Sequence, residues 1–361
     1  MELHIGIDDT DSTRGMCTTY LAHLITGGLL ERGCHFVDYP RLVRLNPNVP
    51  WKTRGNGAVA LHVSTGDPEG ARRFVDGMVR RHSDMANGAN PGVAFLEGEA
   101  VPPELAGFAS EALHRVVDLR GALRLAAGAG VDTIQYGTGR GVVGAMAAVG
   151  YRFGDCTAEI LAYRRPESVG TERRIDAYSM KSMQEDTYPN TFSSYDPESG
   201  RVLAAPRGPD PVFYGIRGED PEILCGAARM VRHVERLAGH TIFRTNQGTA
   251  DHLEYGIDPA APEPHSSGTM TGVVRRVSGE VRGGHAWAVV GCGGHEIACW
   301  AYRPTGLPGV VRGLVPGDVV EVGGGVRPGS ARRPPTLSME VVRVRGLAPR
   351  VAYANPRCMR C

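Results

Sequence analysis

The hydrophobic and polar positions change their pattern three times along the chain. Residues 4–8 form a short apolar strand that runs into Asp8, Asp9 and Asp11, and residues 16–30 carry an amphipathic run that predicts a helix directly behind this acidic turn. Residues 35–45 alternate as an extended segment. A loop rich in Pro, Gly and Asn fills 46–57, and 58–63 reads as a second strand. Helical spacing recurs over 67–83, 102–117 and 119–127. Strands and helices joined by short connections predict an α/β unit over residues 1–135.

A second pattern opens on Gly137, Gly139 and Gly141, a glycine-rich turn leading into an apolar run to Gly150 that reads as a strand. Strands over 151–165, 211–218 and 241–245, with a helix over 221–238, suit a ferredoxin-like α+β domain spanning 136–257. Residues 258–268 hold three prolines and read as a linker. From 269 to 346, five short strands separated by Gly-rich turns and broken at 304–314 have the count of an OB-fold β-barrel. Residues 347–361 end in Cys358 and Cys361, a Cys-x-x-Cys pair that is half of a zinc ribbon. The expected fold is therefore multidomain α+β.

Composition narrows the function class. A chain of 361 residues, 42% hydrophobic and 22% charged, is long enough for several cores. It has no run of eighteen apolar residues, and its N-terminus enters a strand without a signal-like segment. A cytoplasmic location is expected, with no membrane partner and no stable protein partner implied. Eight dispersed cysteines predict reduced thiols.

The net charge of +1 conceals an asymmetry. Residues 269–361 carry 13 Arg, no Lys and 5 acids, a charge of +8, which leaves −7 on residues 1–268. A polyanion should meet the last quarter of the chain, where Arg275, Arg276, Arg282, Arg332 and Arg333 accompany Trp287 and Trp300. Either tryptophan fits a core position equally well.

Three carboxylates within four residues repel one another unless a cation neutralises them, and a helix beginning one turn later points backbone N–H groups at the same space. A divalent metal with phosphate satisfies both; helix capping by Asp9 or Asp11 is the alternative. Lys52 adds to this. The chain uses 38 Arg and 2 Lys, so a lysine retained in the 46–57 loop suits a compact cation that meets phosphate as a point charge. No Gly-x-x-x-x-Gly-Lys-Ser/Thr element occurs, which excludes a P-loop. The Gly139-Arg140-Gly141 turn could cradle phosphate through its amides.

Taken together, Ile7-Asp8-Asp9-Thr10-Asp11-Ser12 followed by Gly15-Met16-Cys17-Thr18-Thr19, then Pro40-Arg41-Leu42, Arg44-Leu45-Asn46-Pro47 and Lys52-Thr53-Arg54-Gly55-Asn56-Gly57, resemble the archaeal tRNA(Ile) 2-agmatinylcytidine synthetases. Gly139-Arg140-Gly141, Ala162-Tyr163-Arg164, Tyr214-Gly215-Ile216-Arg217-Gly218 and Asn355-Pro356 continue the resemblance over nearly the whole chain. It implies an ATP-using kinase-like domain, a ferredoxin-like domain, an OB domain and a zinc ribbon. The implied reaction activates the C2 oxygen of the first anticodon cytidine of an isoleucine tRNA with CAU anticodon by phosphorylation, then replaces it with agmatine. A tRNA-binding protein without chemistry, or a synthetase using another amine or base, are the competing readings.

The resemblance also implies roles. Asp8, Asp9 and Asp11 would hold Mg²⁺ on ATP, Thr18 would accept a phosphoryl group, and Lys52 and Arg54 would neutralise transferring charge. Gly139, Arg140 and Gly141 would lie beside nucleotide or base. Asp155, Glu159, Tyr188 and Tyr214 are candidates for agmatine. Family members continue to a second cysteine pair, whereas this chain stops at Cys361. Zinc binding is therefore doubtful, and catalysis with weakened tRNA affinity is expected.

Overall fold

The structure, a computed structural model, describes residues 1–279 and 281–349; Cys358 and Cys361 lie outside the described residues. The chain divides into two compact units, Met1–Asp251 and His252–Cys361.

The first unit begins with β1 (Glu2–Asp8), α1 (Thr18–Glu31), β2 (His35–Phe36), β3 (Arg41–Arg44), β4 (Gly57–Ser64) and α2 (Pro68–His82). It continues with β5 (Gly92–Glu97), α3 (Pro103–His114), α4 (Leu119–Ala129), β6 (Val131–Gln135) and α5 (Gly141–Gly150). After these come β7 (Thr157–Arg164), α6 (Ala177–Thr187), β8 (Thr191–Phe192), β9 (Tyr195–Asp196), β10 (Arg201–Val202), β11 (Val212–Gly218), α7 (Pro221–Met230) and β12 (Leu237–Thr245). One sheet runs β6-β5-β1-β4-β3-β12-β7-β11-β8, with β2 added on β4. The α/β and ferredoxin-like segments expected from the sequence thus share a sheet, joined where β12 pairs parallel to β3 at Arg244–Arg41 and Thr245–Leu42.

Local chemistry explains the helices. Asp67 caps α2 by accepting from the Gly70 amide, Pro68 opens it, and Arg80, Arg81 and His82 occupy its last turn, where they complement the helix dipole. Asp118 caps α4 in the same way, and Gly130 closes it in the left-handed conformation. β1 is buried on both faces. Leu3, Ile5 and Ile7 join the core beneath α1 and α2, while α5 lies across the opposite face.

The run up to Gly150 is a helix, which corrects the strand reading. Gly, Ala and other small residues bury α5 almost all round, so no amphipathic stripe marks it. It packs directly on the sheet backbone: a Cβ on Gly6 would lie 2.0 Å from the Ala145 carbonyl oxygen. The helix expected over 221–238 stops at Met230 because residues from Leu237 onward pair with β7. Residues 170–208, without evident periodicity, contain α6 and three two-residue strands.

The second unit holds β13 (Ser267–Val277), β14 (Ala286–Cys292), β15 (His295–Ala301), α8 (Pro308–Gly313), β16 (Val319–Arg327) and β17 (Thr336–Gly346). The strands close into a barrel in the order β13-β14-β15-β17-β16. Ala286, Ala288, Val290, Ile297 and Cys299 fill it. Trp287 and Trp300 face each other across β14 and β15, half-buried and out of phase with those core positions. Cys299 is a packing residue, its thiol pushed up to about 12 by burial.

Candidate active site

β1 delivers Asp8 to the edge of a cavity of about 330 Å³. The chain then turns sharply, with Asp9 at φ 55° and Met16 at φ 59°, both in a region that L-residues occupy at a cost. Ser12 and Arg14 hold this turn against a second one: the Ser12 hydroxyl donates to Asp84 at 2.5 Å and Arg14 donates to Asn87 at 3.0 Å. α1 then starts at Thr18 without a side-chain cap. Its first amides and those of α5 are the two positive helix ends near the acidic turn.

Asp8, Asp9, Asp11, Thr18, Lys52, Arg54, Arg140 and Glu159 all line this one cavity. Each strand end and loop contributes a charge. Arg140 pairs with Asp9; Arg54 donates to Asp11 and to the Met16 carbonyl, and its other nitrogen lies 3.5 Å from Asp210. Thr53 donates to Asp11 at 3.0 Å. Buried Glu159 lies between Arg44 at 3.3 Å and Arg217 at 3.2 Å. Lys52 forms no ion pair among the described residues, so it is the lining cation left available to an incoming anion.

Several of these carboxylates are shielded from water. Burial, followed by the repulsion of Asp9, raises the Asp8 carboxyl well above its ordinary range; burial also raises Asp9 and Asp210. Thr18 is buried, and its hydroxyl accepts a hydrogen bond of 3.0 Å from Thr10. Among the described residues no three His, Cys, Asp or Glu side chains converge as a metal cluster. Magnesium, however, is commonly held by one or two carboxylates together with substrate phosphates, and the hard oxygens of Asp8 and Asp9 are chemically suited to that arrangement.

The glycine-rich turn does not present an open amide cradle. The Gly139 amide donates to the Tyr136 carbonyl and the Gly141 amide to the Asn90 carbonyl, so both are already committed. These glycines serve geometry: Gly139 adopts φ +74°, and a Cβ on Gly141 would strike the backbone of Gly92 and Asp8. Arg140 alone of the three lines the cavity.

Of the agmatine candidates, only Glu159 reaches the cavity. Asp155 is exposed on a loop, Tyr188 is exposed beyond α6, and the Tyr214 side chain lies in the core beneath α7, its hydroxyl 3.4 Å from the Ala228 carbonyl. Strand alternation explains the last placement, since neighbouring Gly215 lines the cavity. Asp210 had no motif to announce it beyond its two flanking prolines, yet it is buried, lines the cavity and leaves Oδ2 without a hydrogen bond among the described residues. On the second unit, Arg275, Arg276, Arg282, Arg332 and Arg333 are all exposed.

Residues 4–82 match the TiaS TCKD domain and residues 139–252 the TiaS FLD domain. The isoleucine-tRNA 2-agmatinylcytidine synthetase TiaS of Cenarchaeum symbiosum (strain A) is 49% identical over 359 residues, which span 99% of this chain and 80% of that protein. The crystal structure of apo TiaS superposes with a TM-score of 0.90 at 35% identity, covering 100% of this chain and 84% of that one. The crystal structure of TiaS in complex with an isoleucine tRNA, AMPCPP and agmatine gives 0.88 at 35% identity, covering 99% and 86%. Matched over nearly its whole length in both sequence and fold, the chain belongs to the TiaS family of tRNA(Ile) 2-agmatinylcytidine synthetases.

Proposed function

We propose that the cavity at the end of β1 is where this chain uses ATP to join agmatine to the first anticodon cytidine of its isoleucine tRNA, giving 2-agmatinylcytidine. The observation that carries the reading is the meeting of Asp8, Asp9, Asp11, Thr18, Arg54 and Lys52 in one cavity. A pyrimidine C2 oxygen leaves poorly until it is phosphorylated. In the first step the oxygen–phosphorus bond forms as a phosphoanhydride bond of ATP breaks. In the second the agmatine nitrogen bonds C2, the C2–O bond breaks, phosphate departs and the amine sheds a proton.

Phosphoryl transfer asks the protein for position and charge more than for covalent help. Lys52 meets the phosphates, and Arg54, fixed by Asp11 and Asp210, faces the charge that develops between them. Asp8 and Asp9 would hold Mg²⁺, which would supply charge neutralisation for the phosphates. The buried Thr18 hydroxyl at the head of α1 is assigned as a second phosphoryl acceptor: its oxygen bonds phosphorus as a phosphoanhydride bond of another ATP breaks and the hydroxyl proton leaves, and the helix amides stabilise the phosphate formed. For agmatine we assign Glu159 together with Asp210, whose Oδ2 meets Arg54 at 3.5 Å but accepts no hydrogen bond among the described residues, leaving it able to take one from an ammonium or guanidinium.

We read residues 1–135 as kinase-like and 136–257 as ferredoxin-like, and the closed five-stranded barrel as an OB fold. Its exposed arginines and its half-buried Trp287–Trp300 pair support RNA binding. No helix among the described residues is long and apolar enough to cross a membrane, and a substrate tRNA fits a cytoplasmic enzyme. The binding-only reading and the readings with another amine or base are not favoured. Phosphate release that requires Mg²⁺, the isoleucine tRNA and agmatine together, and disappears in Asp9→Ala, tests the assignment; release no greater than in that variant would refute it.

A further inference from the structure

Trp51 has no role in the chemistry above, yet it is half exposed, 50% of its surface open to solvent, on the wall of the same cavity. The chain fixes its position. Pro50 and Trp51 are the central residues of a turn closed by the Lys52 amide donating to the Val49 carbonyl at 3.4 Å. The turn is rooted on both sides: Asn46 is fully buried, its carbonyl accepts from Asn56, and its side-chain oxygen accepts from the Asn48 amide at 3.0 Å. Thr53 and Arg54 then anchor the other end on Asp11. A loop anchored at both ends thus holds a large ring on the cavity wall, and no other aromatic side chain among the described residues lines that cavity. Leu203, 47% exposed and brought by a different loop, is a second apolar residue on that wall.

We propose that Trp51 is the stacking surface for the cytosine ring that accepts the phosphoryl group, with Leu203 as a further apolar wall. The proposal rests on the reaction assigned above. An exposed indole binds any nucleobase through its face, so two bases compete for it: the target cytosine and the adenine of ATP. Position favours cytosine. Lys52, the next residue, is the free cation for the transferring phosphoryl group, and the accepting C2 oxygen must come within about 3.5 Å of that phosphorus. Adenine is separated from it by the remaining phosphates and a ribose. A base taken out of the anticodon stack also needs a replacement for the stacking it loses, and a rigid aromatic surface supplies it.

The test uses the full chain and the isoleucine tRNA carrying pyrrolo-cytosine at the first anticodon position, a fluorophore that stacking quenches. With a non-hydrolysable ATP analogue, the wild type should quench it on binding. Trp51→Ala should bind the tRNA but leave the fluorophore bright, Trp51→Phe should restore most of the quenching, and affinity for the ATP analogue alone should stay within about twofold in both. Equal quenching by wild type and Trp51→Ala would overturn the proposal. So would a large loss of ATP-analogue affinity in Trp51→Ala with quenching retained, which would place adenine on the ring. Formation of 2-agmatinylcytidine by the wild type on unlabelled tRNA, measured in parallel, reports separately on the reaction itself.

Discussion

Asp210 shows how a single side chain can sit between two tasks. One of its oxygens faces Arg54, and Arg173 fixes its loop by donating to the carbonyls of Gly208, Asp210 and Val212 at 2.9, 2.7 and 2.8 Å. Asp210→Asn keeps the shape and removes the charge. The agmatine KM should rise roughly tenfold to a hundredfold, the worth of a charged hydrogen bond, in steady-state phosphate release; an unchanged KM would remove Asp210 from the amine site. His4 is the second residue-scale case. It is buried, stacked 3.8 Å from His62, and burial together with the charge of His62 and Arg41 lowers its pKa to about 4. The unfolded chain therefore binds a proton near pH 6.5 that the folded chain refuses until about pH 4. Stability is intact above pH 6.5 and falls as pH drops through that window, by at most on the order of 3 kcal/mol. His4→Gln should flatten this part of a pH series of urea melts relative to the wild type.

At the scale of elements, α5 packs on the sheet directly against Asp8, a residue of the cavity lining. A Cβ on Gly144 would lie 1.9 Å from the Asp8 carboxylate, and one on Gly6 would meet the Ala145 carbonyl. Gly6→Ala should destabilise the first unit by about 1–3 kcal/mol or more in urea unfolding, the range of overpacked cores. The same packing explains what could be read from residues alone. α2 and α4 carry caps and polar faces, so their spans were legible. α5 has neither, because a helix buried on all sides has no periodic contrast, and only its fit against β1 reveals it. Asp8, Asp9, Asp11, Lys52 and Arg54 were legible because chemistry repeats in charge and spacing. Asp210 was not, since a lone aspartate 156 residues beyond Arg54 becomes a partner only through the fold. Tyr214 was misplaced for the same reason: strand alternation turns it into the core while Gly215 faces the cavity.

On the scale of the whole molecule, charge is divided along the chain, with the acids of the first unit contrasting with an arginine-rich barrel. In the barrel, β15 residues Ala298–Trp300 pair with Thr336–Ser338, directly after the loop bearing Arg332 and Arg333, and Trp300 also pairs with Trp287, close behind Arg282. Those arginines thus lie on the loops that lead into β14 and β17. Arg282→Glu with Arg332→Glu should weaken tRNA binding at least tenfold and reduce the slope of log affinity against log salt by about one for each phosphate no longer neutralised; an unchanged slope would exclude this face. The most direct measurement concerns the product. The isoleucine tRNA is incubated with ATP, Mg²⁺ and agmatine, digested, and its anticodon fragment weighed by mass spectrometry. The wild type should add agmatine with loss of water to the first anticodon cytidine and to no other base, while Lys52→Ala and Asp8→Asn should leave that fragment unmodified. An unmodified fragment with the wild type, or full modification with both variants, would contradict the assignment of this cavity.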